Sequence, residues 1–308
     1  MVYSTDRILH WSILGLTAPL PRPLRVRSRH RLLRALQNSA MRKADAMIIR
    51  HPKTGGTWLR VLLTRLYSLK YGTSVRRVFK ADELYRQNRN LPRFLVTNGY
   101  ISWERTTADA FSADAPFLAG KKTIFLARHP GDVAVSWYIQ YTKRTKAFKR
   151  EMMEYEMMDG HFDREGISRW EFLQHPVLGL DALIDYHNFW AEVLHQRDDA
   201  LIVRYEDLRT DTAKTLRRMT DFLGEDFTDE HIMDAVDFGS VDNLRAKERE
   251  GYFHNTSLRL RNADDPDTLK VRRAKVGGFH EDLDPEQAEW VEKRVSERCH
   301  PALGYGKK

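Results

Sequence analysis

The chain is 308 residues long, 42% apolar and 31% charged, with a formal net charge of +8 at neutral pH. Those figures suit one large α/β domain or two small ones around a full apolar core, and they exclude a disordered or fibrous chain. The positive surplus favours an anionic partner, whether a nucleotide, a nucleic acid or an acidic membrane surface, without choosing among them. Cys299 is the single cysteine, so an intramolecular disulfide and a cysteine-built zinc site are ruled out, and a reducing cytoplasm is the expected compartment.

Residues 1–43 read as a basic extension to a domain covering 44–308. Ile8 to Leu20 is the most apolar N-terminal piece, but His10 and Ser12 interrupt it and Pro19, Pro21 and Pro23 follow. It lacks a strongly basic start and a small-residue cleavage site, so no signal peptide is expected, and no run in the chain has the length of a transmembrane helix. Between Asp6 and Asp45 there is no acidic residue, while Arg22, Arg25, Arg27, Arg29, Arg31, Arg34, Arg42 and Lys43 accumulate. Two uses are open for residues 8–43: peripheral contact with an anionic membrane, or a helix packed on the domain with its arginines in water. The narrow apolar face of Leu32, Leu33 and Leu36 favours the second. Nucleic acid is not an expected partner, because no recognised motif accompanies the arginines.

The domain opens with Ala46 to Ile49, an apolar run of strand character. Arg50-His51-Pro52-Lys53-Thr54-Gly55-Gly56-Thr57-Trp58 follows and leads into a segment where Leu59, Leu62, Leu63 and Leu66 fall at helical spacing, with Arg60 and Arg65 off the stripe. Strand, glycine loop and helix in that order make an anion cradle. Adjacent glycines let the backbone turn tightly with its N–H groups outward, the new helix adds its positive end, and Lys53 adds a full charge.

Next comes a helix around Ala81 to Tyr85, then a short strand over Arg93 to Thr97, then Asn98 and a loop holding Glu104. Lys121 to Ala127 is a clearer strand, apolar as a buried parallel strand should be, and Arg128-His129-Pro130-Gly131-Asp132 turns into a helix from Val133 with Asp132 as its N-cap or first-turn acid. Tyr141 to His175 has no clean period and reads as an excursion from the core, part of a lid. A helix is expected over Leu183 to Leu194, a buried strand over Ala200 to Tyr205, a helix over Thr212 to Leu223 stopped by Gly224, and a terminal helix over Pro285 to Cys299 capped by Asp284. Residues 245–275 are highly charged, with Asn262, Asp264, Asp265 and Pro266 marking a loop. The alternation predicts a doubly wound α/β fold, a mainly parallel sheet flanked by helices, with ligands at the carboxyl edge of the strands.

Pro52-Lys53-Thr54-Gly55-Gly56-Thr57-Trp58 is not the common P-loop, whose lysine follows its last glycine. It closely resembles the P-loop-like 5′-phosphosulfate loop of sulfotransferases that use 3′-phosphoadenosine 5′-phosphosulfate, where Pro-Lys-Ser/Thr-Gly-Thr-Thr-Trp is usual. Arg128-His129-Pro130-Gly131-Asp132 with Ser136 is similar to that family's 3′-phosphate motif, and Tyr205-Glu206-Asp207-Leu208 to its adenine-side Tyr-Glu-Asp-Leu. Arg272-Arg273-Ala274-Lys275-Val276-Gly277-Gly278-Phe279 looks like its C-terminal phosphate-closing loop, with Ala274 replacing a glycine and Phe279 a tryptophan. Ser240 stands where the family often has a serine near the adenine, though the local match is loose. Four motifs occur in family order from residue 45 to residue 285.

The resemblance implies a sulfotransferase whose co-substrate is 3′-phosphoadenosine 5′-phosphosulfate and which needs no metal. The acceptor hydroxyl or amine is unidentified, a lipid or saccharide being suggested by the basic N-terminus. Lys53 would donate to the bridging oxygen as the sulfate leaves, the backbone of Thr54, Gly55, Gly56 and Thr57 would hold the 5′-phosphate, and Trp58 and Tyr205 would flank the adenine. Arg128, Ser136, Arg272 and Arg273 would hold the 3′-phosphate. Many members carry a histidine base after the second strand. Here Asn98 stands in that place, and a neutral amide cannot take a proton near pH 7. Asn98 can still orient the acceptor, and Glu104 is the first substitute for the base, ahead of His280 and His254. Two alternatives remain: a small-molecule kinase, which does not account for Arg128 with Ser136, and a non-catalytic nucleotide-binding protein at a membrane surface, for which Asn98 is the support.

Overall fold

The computed structural model describes residues 5–99, 117–157, 162–254 and 275–306. Four strands, β1 (Ala46–Arg50), β2 (Phe94–Thr97), β3 (Lys122–Ala127) and β4 (Ala200–Arg204), form one sheet in the order β2-β1-β3-β4. Every pairing is parallel: Ile49 pairs with Thr97 on one side and with Phe125 on the other, and Leu126 pairs with Val203. This is the expected doubly wound α/β sheet.

Two helices, α1 (Thr5–Thr17) and α2 (Arg22–Lys43), precede β1. α3 (Gly56–Tyr71) and the short α4 (Glu83–Gln87) lie between β1 and β2. α5 (Pro130–Ile139) follows β3 and runs into a π-helical turn at Gln140–Arg144, after which α6 (Ala147–Met157), α7 (Arg169–Gln174) and α8 (Leu180–Leu194) lead to β4. Beyond β4 come α9 (Tyr205–Thr210), α10 (Thr212–Leu223), α11 (Asp229–Phe238), α12 (Val241–Arg249), α13 (Phe279–Asp282) and α14 (Pro285–Arg298).

The period of two along each strand sorts the helices into two layers. Met47, Ile49, Leu95, Phe125 and Ala127 face a core shared with α2, α5, α8 and α14, while Ile48, Val96, Ile124, Leu126 and Val203 face α3, α10 and α11. Both faces of the sheet are therefore covered, which is why its strands read as unbroken apolar runs. The leucine stripe of α3 is fully buried as expected, and Gly72 ends the helix in a left-handed cap.

Arg60, off the leucine stripe, is also buried, its guanidinium donating to the Val78 and Phe79 carbonyls, and burial pulls its pKa down to about 10. The stretch 141–175 is not an excursion, because Tyr141, Met152, Met153, Phe172 and Leu173 sit in the larger core. Its aromatic and methionine side chains pack on several sides at once, which erases any single-face period. Within the charged stretch 245–275, α12 runs to Arg249, and the loop marked by Asn262, Asp264, Asp265 and Pro266 lies outside the described residues.

The basic N-terminal helices are tied to the domain. Val26, Leu33 and Met41 of α2 join the larger core, Arg29 Nη1 meets Glu151 of α6 at 2.8 Å, and Arg25 shares that carboxylate. Gln37 Nε2 donates to Thr97 Oγ1 at 2.6 Å, so α2 also touches the carboxyl end of β2.

Candidate active site

The chain leaves β1 for a neighbour on one side, β2, and then crosses to the other side for β3. The carboxyl ends of β1 and β3 thus form the switch point where such sheets bind ligands. The loop after β1 closes on the His51 carbonyl, which accepts from Thr54 Oγ1 at 2.9 Å and from Thr54 N at 3.4 Å. Lys53 has φ +80°, the one positive φ at a non-glycine among the described residues. A β-carbon makes that conformation cost about 1–2 kcal/mol, and such strain is held where a site needs a particular backbone. Gly55 has φ +91° and lies against Tyr205, whose ring would stand 2.4 Å from an added β-carbon. No side chain caps the first turn of α3, so its N–H groups face the loop. Thr54 is fully buried with its hydroxyl held by His51, whereas Thr57 is half-buried in that first turn.

His51 itself is enclosed. Its Nδ1 donates to the Pro52 carbonyl at 2.8 Å, its ring meets Trp137 and Tyr186 edge-on, and burial pushes its pKa down to about 3. It is a neutral wedge under the loop rather than a base.

Arg128 links the loops of the two central strands. Its Nη1 donates to the Lys53 carbonyl at 3.1 Å, its Nη2 to Asp132 Oδ2 at 3.2 Å and to the Lys275 carbonyl at 2.9 Å, and its guanidinium lies 4.4 Å over the Tyr205 ring. Its Nε is buried without a partner. Asp132 is only 2% exposed and is the first-turn acid of α5, the N-cap position being held by His129. Its carboxylate instead accepts from Gly277 N at 3.0 Å and Phe279 N at 3.1 Å, clasping the C-terminal loop to α5. Phe279 then stacks on His129 with centroids 5.1 Å apart. Ser136 is half-buried two turns along α5.

Trp58 donates from Nε1 to the Gly239 carbonyl at 2.8 Å and meets Tyr205 edge-on at 5.8 Å, with Arg209 over its ring. Ser240, next to that carbonyl, caps α12 by accepting from Asn243 N at 3.3 Å. Asn98 follows β2 level with Arg50, and its carbonyl accepts from the Tyr186 hydroxyl at 3.0 Å. Lys53, Thr54, Gly55, Gly56, Thr57, Trp58, Arg128 and Tyr205 are thus gathered at one edge, and Asn98 stands beside them.

Glu104, Arg272 and Arg273 lie outside the described residues. His280 is exposed and donates to Glu292 at 3.1 Å, and His254 is exposed, its backbone N–H donating to Arg76 O at 2.9 Å. Among the described residues, Glu192, His195 and His300 bring ligand atoms within 4.8 Å of one another. His300 Nδ1, however, accepts from Ala302 N at 3.1 Å, so its proton sits on Nε2, 3.2 Å from Glu192, and that nitrogen has no lone pair for a metal.

The family model described as "Sulfotransferase domain" matches residues 43–301. The chain belongs to the sulfotransferase family. As a family member it is 21% identical over 276 residues to the amine sulfotransferase of Oryctolagus cuniculus, covering 87% of this chain and 84% of that protein. It is 24% identical over 304 residues to cytosolic sulfotransferase 16 of Arabidopsis thaliana, covering 87% and 79%. Among solved structures, mouse sulfotransferase SULT7A1 complexed with PAP has the same fold, with a TM-score of 0.54 at 17% identity and coverage of 83% of this chain and 84% of that one. Retinol dehydratase in complex with androsterone and inactive cofactor PAP gives a TM-score of 0.53 at 16% identity, with coverage of 82% and 80%.

Proposed function

We propose that this sulfotransferase takes a sulfuryl group from 3′-phosphoadenosine 5′-phosphosulfate at the β1–β3 switch point and passes it to an acceptor hydroxyl or amine. The observation that carries the reading is the Arg128–Lys53 link at 3.1 Å, which joins a strained, uncapped anion loop to an arginine whose Nε is buried and unpartnered. A ligand with phosphate at both ends fits that arrangement. The bisphosphonucleotide named in the solved relatives is of that class.

The donor supplies a sulfur already bonded to a good leaving group. The acceptor oxygen–sulfur bond forms, the sulfur–phosphate oxygen bond breaks with its electron pair staying on phosphate, and the acceptor proton passes to a nearby base or to water. Lys53 offers its ammonium where the leaving oxygen gains charge, and the first turn of α3 holds the 5′-phosphate. Arg128, Ser136, Arg272 and Arg273 take the 3′-phosphate, while Trp58 and Tyr205 bound the base. Asn98 orients the acceptor, and Glu104 is the proposed proton acceptor.

The finer part of the proposal is an acceptor on a lipid or saccharide, met by a cytoplasmic enzyme at an anionic membrane surface. Ile8, Leu9, Trp11 and Leu16 of α1 are exposed, and so are Arg22, Leu24, Arg27 and Arg31 of α2. Among the described residues no helix is long and apolar enough to cross a membrane, so the contact would be peripheral.

Transfer from radiolabelled donor to a panel of lipid, saccharide and amine acceptors tests the reaction. Lys53→Ala is expected to lower turnover by about a hundredfold or more, the scale of losing one pre-organised charge donor. Equal turnover in the two proteins would overturn the assignment.

A further inference from the structure

Arg50 ends β1 directly before the anion loop, and the chemistry above leaves it unused. Its side chain runs across the first residue of α3: a β-carbon on Gly56 would fall 1.9 Å from Arg50 Cδ and 2.3 Å from Nε. That Nε is buried without a partner, and Nη1 reaches the His51 carbonyl only at 3.4 Å. Burial lowers its pKa, and the group opposing that shift is the Tyr186 phenol rather than a carboxylate.

A half-buried guanidinium whose Nε is shut off from water, with no carboxylate on it among the described residues, is costly. Here it also stands beside the positive end of α3, near Arg60, and in the same edge as Lys53 and Arg128. Asp132 does not neutralise it, being engaged by Arg128, Gly277 and Phe279. An entering anion would balance that positive charge. Two anionic groups already have holders, the α3 turn for one phosphate and the Arg128 cluster for the other, which leaves the group at the reacting end.

Arg50 is well placed for it. Parallel pairing of Ile49 with Thr97 brings residues 50 and 98 level, and the strand alternation that turns Ile48 toward α3 turns Arg50 the same way. The Tyr186 hydroxyl that holds the Asn98 carbonyl is also the group felt by Arg50.

We infer that Arg50 binds the transferring sulfuryl group, its guanidinium and the Asn98 amide holding the sulfate oxygens. This rests on the donor reading above. Calorimetric titration of the full chain, without acceptor, with 3′-phosphoadenosine 5′-phosphosulfate and with 3′,5′-adenosine bisphosphate separates the two. Arg50→Met is expected to lose about 10- to 100-fold of affinity for the sulfated donor, the scale of a charge-assisted hydrogen bond. Its affinity for the bisphosphate should stay within about threefold, and Arg50→Lys should recover part of the donor affinity. Bisphosphate binding itself reports a folded site. Equal losses for both ligands, or an unchanged donor affinity in Arg50→Met, overturn the role of Arg50 alone. Failure of the unmodified protein to bind the bisphosphate overturns the donor reading, and the inference with it.

Discussion

At Gly56 the space a β-carbon would fill is taken by the Arg50 side chain, and at Gly55 by the Tyr205 ring. Gly56→Ala should therefore force Arg50 aside and cost about 1–3 kcal/mol, the range for overpacking a filled site. Because the clash is with Arg50, removing that side chain as well should relieve it, so urea unfolding of Gly56→Ala, Arg50→Ala and the double variant should give clearly non-additive losses. Additive losses would show that the two residues do not meet. The single residues that matter were unevenly legible in the sequence. Lys53, Gly55 and Gly56 stood out because a tight anion loop is a local object, written in adjacent residues. Arg50 and Asp132 did not stand out as parts of the site. One depends on a neighbour in another strand, and the other binds backbone groups about 145 positions away.

Among the elements, α1 has a divided surface. Leu14 and Thr17 are buried, while Ile8, Trp11 and Leu16, the last 78% exposed, are turned outward. Arg22, Arg27 and Arg31 of α2 are exposed as well, and exposed apolar side chains together with exposed arginines are what a helix resting on anionic lipid uses. In flotation with vesicles containing phosphatidylserine at low salt, the full chain should co-float. Trp11→Glu with Leu16→Glu should cut binding about tenfold or more, since each buried side chain of that size is worth about 1.5–3 kcal/mol. Equal flotation with neutral vesicles, or binding that survives both changes, would count against the membrane contact. Truncation is a poorer test, because Val26, Leu33 and Met41 of α2 are core residues and Gln37 supports Thr97 beside Asn98. The strands and the helices α3, α8, α10 and α14 were readable from period and caps. The short helices of 141–175 were not, because side chains buried on several sides carry no single period.

At the scale of the molecule, two buried imidazoles tie stability to pH. Burial is the main cause in each case, pushing His51 down to about 3 and His187, fully enclosed on α8, down to about 4. Both are neutral in the folded protein, whereas in the unfolded chain they take up protons below about pH 6.5. The unfolded state then binds more protons, so stability falls on acidification, by about 2 kcal/mol per histidine between pH 7 and pH 5. Urea unfolding at the two pH values should show that loss, and His187→Gln should remove about half of the part due to the pair. A pH dependence unchanged by the substitution would mean that His187 is not held neutral by the fold. What the sequence by itself determined is whatever a few neighbouring residues dictate: the loop and its anion, the parallel strands, the helix caps, and the order of motifs that identified the family. Tertiary structure alone decided which of these meet. Strand order put Arg128 against the Lys53 carbonyl, register set Arg50 level with Asn98, and packing sent Asp132 to the C-terminal loop. Such contacts join residues far apart along the chain, and no local preference of either partner encodes the distance between them.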